Sequence, residues 1–524
     1  MRRLRLFLTL LLVALCLAAF FTLRSLGILV PPPAVKSQSV PPGDQEIAWI
    51  NAATSGSSWE RFVAGIQSVQ AERPDLVVDD THAYPDQTAG VPEIALSVQG
   101  CPYRLWFRWY KLTSEASIPQ WVDELARRAP APLAVIGGES SDRARDFAQA
   151  LTAQQQWQGD RPLLLLTTAT ADQLSVGGDQ SVTSLMSIYP ERSFRFCFTN
   201  NQMAEAVRDL VWNHPFLRPT GGPVPGLTGI MIGLGDPWNG LVQLAAGVAV
   251  PPPDVRVMEW RDDPYSIDLS TQFRKVVHEH DDDVNSVSSY RMAYSVGDYY
   301  LPNRSEAEEI RRMVDRLAIV GEQRQLLVLP ASDRQARRMI RGLSNTAPFE
   351  TRNVLAVTGD SISFNVIYRD RDIAWNIQDL PVPLVLFAHQ NPAAWPEKPQ
   401  PNARTHFPNA TDDELLNAEI VRVLVEACFS KTDTGDVMLL TNADALRRRL
   451  FERHPRLFEA DGNRIGGRGE HIVCLLPVME NGRVQPRATI EIWSRKSRRR
   501  RQWEVVKQLP IEYPADAGGG HGGF

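Results

Sequence analysis

The chain has 524 residues, more than one hydrophobic core ordinarily supports, so two lobes or domains are expected. Hydrophobic residues make up 43% and charged residues 22%, a composition that excludes a disordered chain. With 56 Lys and Arg against 61 Asp and Glu the net charge is −5, so nothing global argues for nucleic acid as a partner.

The first predicted element is membrane-directed. Met1-Arg2-Arg3-Leu4-Arg5 precedes an uncharged stretch, Leu6 to Leu23, which ends at Arg24. That stretch reaches the short end of the transmembrane range, and its cationic flank keeps the N-terminus in the cytoplasm, which places everything after Arg24 outside. A cleaved signal peptide is the competing reading, with Ala18 and Ala19 as cleavage candidates. The apolar run continues past them through Phe20 and Phe21, which favours an uncleaved anchor over residues 1–24. Cys16 follows Leu15, where lipid attachment wants a small residue. Residues 25–45, rich in Pro, Ser and Val, read as a semi-rigid spacer. Four cysteines lie beyond it: Cys101, Cys197, Cys428 and Cys474. An oxidising compartment permits disulfides among them, and buried thiols are the alternative. None forms a CxxC pair.

The folded part begins near Glu46. Ile47 to Ile50 reads as a buried strand, and Trp59, Phe62, Val63, Ile66 and Val69 follow at helical spacing. The couplet recurs: Leu133 to Ile136 precedes a helix carrying Ala144, Phe147, Ala148 and Leu151, and Leu163 to Leu166 is the next strand. Further on, Gly229 to Ile232 leads into a helix from about Trp238. Leu326 to Leu329 leads into one carrying Ala336, Met339, Ile340 and Leu343, and Val354 to Val357 is another apolar run. Ser305 with Glu308, Ser332 with Gln335 and Thr411 with Glu414 have capping-box spacing. Short apolar runs alternating with amphipathic helices mean parallel sheets covered on both faces. Two regions depart from the pattern. Residues 261–300, polar and acidic, are expected to form an irregular insertion, and Ile472 to about Leu509 to form antiparallel strands, with turns at Asn481-Gly482 and in the basic segment Arg495 to Arg501.

Among the motifs, Ala134-Val135-Ile136-Gly137-Gly138-Glu139-Ser140-Ser141 stands where a strand turns into a helix, whose free N–H groups and two hydroxyls suit a carboxylate. The bland reading is that Ser140 only caps the helix. The next strand ends in Thr167-Thr168-Ala169-Thr170-Ala171-Asp172, and in a parallel sheet adjacent strand ends open on one crevice. A dinucleotide loop at Gly233-x-Gly235 fails, because the following glycine, Gly240, comes too late and Pro237 intervenes. There is no GxSxG elbow, P-loop or HExxH. His278-Glu279-His280 with Asp281 to Asp283 reads as a solvated acidic loop rather than a metal site. The basic run at 495–501 reads as a solvated hairpin tip.

The order "IGGESS", "LLLLTTATADQL", "FRFCFTNNQMAEAV", continued by "IVRVLVEACF" and "LFEADGNRIGGRGEHIVCLLPVMENGRV", resembles the type I periplasmic-binding-protein family of branched-chain amino-acid binding proteins and receptor ligand-binding domains, over roughly residues 46–485. The resemblance implies an α/β fold of two Rossmann-like lobes with three crossovers. In this reading residues 46–192 with 388–448 form the first lobe, 193–387 with 449–513 form the second, and 514–524 are a flexible tail. It implies that Ser141, beside Ser140, holds a ligand carboxylate and that Thr168, Ala169 and Thr170 bind carboxylate and amino group. Trp238 falls one position from the family's aromatic contact, and Asp333 or Asp360 would meet the ammonium. The function implied is reversible extracytoplasmic binding of an amino acid or amide-like ligand for ABC-type uptake or sensing, with a membrane permease or envelope protein as partner. No catalysis, cofactor or metal is expected. The alternative is a scaffold that keeps the fold and regulates cell-envelope enzymes.

Overall fold

The computed structural model describes residues 35–85, 90–176, 181–213, 254–260, 263–280, 286–292, 325–331, 354–360, 383–389, 412–431, 435–465, 471–480, 483–497 and 502–512, with isolated positions between these. The expected anchor lies almost wholly outside them, as do Trp238, Asp333, Gly233 to Gly240 and Asp281 to Asp283. Among the described residues no helix is long and apolar enough to cross a membrane.

Strand β1 (Gln45–Ala52) is buried along nearly its whole length, as a strand must be when helices cover both faces of its sheet. With β2 (Leu76–Asp79), β3 (Glu93–Val98), β4 (Leu105–Leu112), β5 (Ala134–Gly137), β6 (Leu163–Leu166) and β9 (Ser193–Arg195) it forms a sheet in the order β2-β3-β4-β1-β5-β6-β9. The strands from β4 to β9 pair parallel, and β2 and β3 join antiparallel at the edge. Helix α1 (Gly56–Glu72) buries Trp59, Phe62, Val63, Ile66 and Val69 on one face, matching the periodicity of the sequence. On the other side of the sheet lie α2 (Ile118–Arg127), opened by a Ser117–Gln120 capping box, and α3 (Ser141–Ala153). A small hairpin, β7 (Gln173–Val176) and β8 (Ser181–Ser184), hangs from the end of β6.

After β9 the chain enters a second lobe through α4 (Asn200–Asn213), β10 (Asp254–Trp260), α5 (Pro264–His280), β11 (Ser286–Met292), β12 (Gln325–Leu329), β13 (Val354–Thr358) and β14 (Leu384–Ala388). A two-residue pair, β15 (Glu397–Lys398) and β16 (Phe407–Pro408), follows, and then α6 (Asp412–Cys428) returns to the first lobe and packs on α1. Gly65 permits that packing: a Cβ there would stand 2.8 Å from the Ala418 nitrogen. A short hairpin, β17 (Phe429–Lys431) with β18 (Val437–Leu439), and α7 (Ala443–Arg453) complete this lobe. The chain then crosses a third time into β19 (His471–Glu480), β20 (Arg483–Ser497) and β21 (Gln502–Glu512), which add antiparallel to the second sheet in the order β11-β10-β12-β13-β14-β19-β20-β21. The described chain is a two-lobe α/β fold.

Three expectations change. Residues 261–300 are not irregular where described: they contain α5 and β11. Leu269, Phe273, Val276 and Val277 make one buried stripe of α5; Ser266 and Ser270 are buried as well, the Ser266 Oγ accepting the Trp260 N–H at 2.8 Å, and Asp268 is buried where it meets the other lobe. These buried polar positions hid the helical pattern. The lobe boundary at 192/193 moves past β9, since Phe194 packs in the first-lobe core at 5.1 Å from both Phe451 and Phe458. For the same reason the last crossing falls after Arg464 rather than at 449, because Leu450 and Phe458 belong to that core. All four cysteines in the described part are free, and burial raises the thiols of Cys197 and Cys428 to about 12.

Candidate functional site

In the first sheet the chain goes from β1 toward β4 on one side and toward β5 on the other, so the strand order reverses between β1 and β5. Connections diverge at such a point and leave a crevice at the carboxyl ends of the strands. A cavity of about 460 Å³ opens there, lined by Trp49 and Asn51 of β1, Ser58 and Arg61 of α1, Ile136 and Gly137 of β5, Glu139 and Ser140 after it, Arg143 of α3, Thr167 and Thr168 after β6, and Asp413, Leu416 and Asn417 of α6.

Its floor is apolar and its walls carry two ion pairs. Arg143, in the first turn of α3, pairs with Glu139 of the preceding turn, and the same guanidinium donates to the Asn51 Oδ1 at 3.1 Å. Asn51 in turn donates from Nδ2 to Glu139 at 2.5 Å. Across the cavity the Arg61 Nε lies 3.2 Å from Asp413. The turn that places Glu139 needs Gly138, whose φ of +72° is a left-handed conformation and whose Cβ, if present, would stand 2.8 Å from that of Ala144.

Only part of the expected site points into this cavity. Ser140 does: it is the N-cap of α3 but makes no side-chain cap hydrogen bond. Thr168 also lines it, although its hydroxyl donates to the Glu139 carbonyl at 2.8 Å. Ser141 is buried, and its Oγ accepts the Ala171 N–H at 3.3 Å. Ala169 is fully buried in the first-lobe core. Thr170 is fully buried and donates to Asp360 Oδ1 at 3.4 Å. The hydroxyls of Ser141 and Thr170 therefore do not converge on one anion. Arg195, from the "FRF" segment, explains the order of this loop: its guanidinium donates to the Thr170 and Ala171 carbonyls at 3.3 and 2.8 Å.

Asp360 closes the seam between the lobes. It accepts from Tyr265 Oη at 2.9 Å as well as from Thr170, and His389 Nε2 stands 3.6 Å away. His389 stacks on Phe198 at 4.6 Å and its backbone N–H donates to Asp412 at 2.8 Å. Burial works against a charged imidazole, yet Asp360 and Asp412 outweigh it and hold the ring above its ordinary pKa. A second carboxylate, Asp268, accepts the backbone N–H groups of Asp172 and Gln173 at 2.7 and 3.1 Å. Burial, with the charge of Asp172, raises its pKa to about 6.

Reading of the sequence missed Glu139, Arg143, Arg61, Asp413, Tyr265, Asp268 and His389. The Glu139–Arg143 pair lies four positions apart across the start of α3, within local reach, although Glu139 itself precedes the helix. Arg61 with Asp413 is not within such reach, since 352 positions separate them.

No family model matches the chain, and no curated protein matches it. Solved structures do. An ABC transporter substrate-binding protein from Desulfitobacterium hafniense is 14% identical with a TM-score of 0.44, covering 84% of this chain and 99% of that one. The leucine-binding protein LivK from Thermotoga maritima is 12% identical at 0.46, covering 89% and 98%. A solute-binding protein from Rhodopseudomonas palustris, solved with p-hydroxybenzoic acid, is 12% identical at 0.45, covering 91% and 99%. The structural neighbours are thus solute-binding proteins of the class that the sequence resembles. Identities and scores this low leave the ligand to be read from the site itself.

Proposed function

We propose that this chain reversibly binds a small polar ligand, of the amino acid or amide class, in the crevice at the ends of β1, β5 and β6. The supporting observation is the cavity of about 460 Å³ at the point where the strand order reverses. Its apolar floor supplies burial, and Asn51, Asn417, Ser140 and the two ion pairs supply a few convergent polar groups. Binding, rather than catalysis, fits charged groups that neutralise each other. Capture takes place outside the cytoplasm on a domain tethered by residues 6–23, with delivery to a membrane permease. Thr168, Ser140 and Asn51 contact the ligand from the first lobe. From the second lobe Asp360 is the described candidate, whereas Trp238 and Asp333 lie outside the described residues.

A second reading, a scaffold without ligand, is favoured by one specific observation: Ser141, Thr168 and Thr170 all spend their hydroxyls on the protein itself. A thermal-shift screen of the full-length chain in detergent against amino acids and small amides separates the two. A ligand at about 100 times its dissociation constant raises stability by about 2.7 kcal/mol, and Arg143→Ala should weaken that ligand at least about tenfold. Silence across both compound classes would give the scaffold reading the advantage.

A further inference from the structure

Among the described residues, carboxylates from both lobes, Asp172 and Asp268, meet at the seam. From the second lobe Asp268, which is 2% exposed, takes up N–H groups of Asp172 and Gln173 from the first lobe, together with the side-chain amides of Asn200 and Gln272 at 2.7 and 3.2 Å. The Asp172 carboxylate sits beside it and accepts the Asn201 N–H at 2.8 Å. Among the described residues Arg195 stands 3.8 Å from it, with its main bonds to carbonyls, and Lys275 of α5 also acts on it. Among the described residues Asp268 has no ion pair. A similar juxtaposition lies alongside, where Asp142 at the start of α3 acts on Asp263 before α5.

We propose that closure of the two lobes takes up a proton at the Asp172–Asp268 seam, so that mild acid tightens the closed form. The proposal rests on the reading of the chain as a two-lobe binder that opens and closes, and it adds a control to that site. With the lobes apart, each carboxylate is hydrated and titrates as an ordinary acid. Closure strips the water and brings two like charges together, and these outweigh the N–H donors that favour the charged carboxylate, so the closed form holds a proton more tightly than the open one. Linkage then requires that falling pH favour closure. Asp172 and Asp268 both have raised affinity for protons, burial being the largest cause in each. His389 acts in the same sense through Asp360, Asp412 and Asp413, but at a separate contact, Thr170 to Asp360.

The backbone N–H groups of Asp172 and Gln173 report the seam directly, because their acceptor is Asp268. Hydrogen exchange on the full-length, ligand-free chain should show their protection, corrected for intrinsic rates, rising about tenfold from pH 7.5 to pH 5. The Leu164 N–H, which donates inside the first lobe, is the internal reference. Asp268→Asn and Asp172→Asn should each cut the rise to about threefold or less, whereas a merely structural role would lower protection equally at all pH values. Wild-type protection that stays within about threefold, or falls, overturns the proposal, as does a larger rise that survives in both variants. No ligand is present, so a failed ligand screen would leave this result intact.

Discussion

Two clusters of buried charge lie at opposite ends of the first-lobe strands, and they are built differently. At the start of β1, Glu46 is fully buried and accepts from Arg108 at 2.8 Å, Arg128 at 2.7 Å and Tyr110 at 3.2 Å, while Glu93 takes the second face of Arg108. Two arginines face two carboxylates, and the spare guanidinium hydrogens hold the Gln38 and Ser39 carbonyls of the entering chain. At the other end, Asp172 and Asp268 meet with N–H donors and little positive charge. A neutralised cluster far from the crevice holds the lobe together. An acidic cluster at the seam is poised to respond to protons. The contrast is one of location: opposite charges can be matched permanently inside one lobe, whereas groups on two lobes must also be stable when the lobes part.

The comparison breaks most visibly at Glu46. Glu46→Gln leaves two buried guanidinium groups short of a counter-charge, which should cost about 3–5 kcal/mol in denaturant melts while ligand affinity in the folded fraction stays the same. A loss below about 1 kcal/mol would mean that water already reaches the cluster. At the seam the effect depends on pH. Asp268 titrates near 6 in the folded chain against 3.8 ordinarily, so it binds a proton more tightly when folded. Its contribution therefore grows as pH falls from about 6 to 4, by roughly 3 kcal/mol at most, and vanishes in Asp268→Asn. His471 runs the opposite way: burial lowers its pKa to about 4 from 6.5, so its share of stability is lost as pH falls across that window. The difference between wild-type and variant melts, read at pH 7 and pH 4.5, isolates Asp268.

The smallest effects sharpen the roles of two adjacent serines. Ser141→Ala leaves the buried Ala171 N–H without its acceptor and should cost about 1–3 kcal/mol of stability. Ser140→Ala removes a hydroxyl that caps nothing and lines the cavity, so stability should move by less than about 0.5 kcal/mol while affinity for a ligand found in the screen falls. Sequence reasoning set both serines against a ligand and kept Ser140 as a helix cap only as the alternative. It could not decide between the two for Ser140, because capping geometry depends on a rotamer that neighbouring loops select.

Much of the lobe architecture was legible in the residues. Ile47 to Ile50, Leu133 to Ile136 and Leu163 to Leu166 could only be buried strands, and Trp59, Phe62, Val63, Ile66 and Val69 only one face of a helix, because burial on a periodic backbone imposes its own period on the apolar side chains. The glycine turn before α3 was legible for the same local reason: Gly138 alone tolerates its φ. What the tertiary structure decided is everything that joins distant segments: β9 and α7 in the first lobe, α5 within the acidic stretch, Arg61 with Asp413, and Asp268 against Asp172. Pairing of this kind leaves no period in the sequence. A buried Asp268 has the character of an exposed position, and only the arrival of the other lobe makes it an interior one.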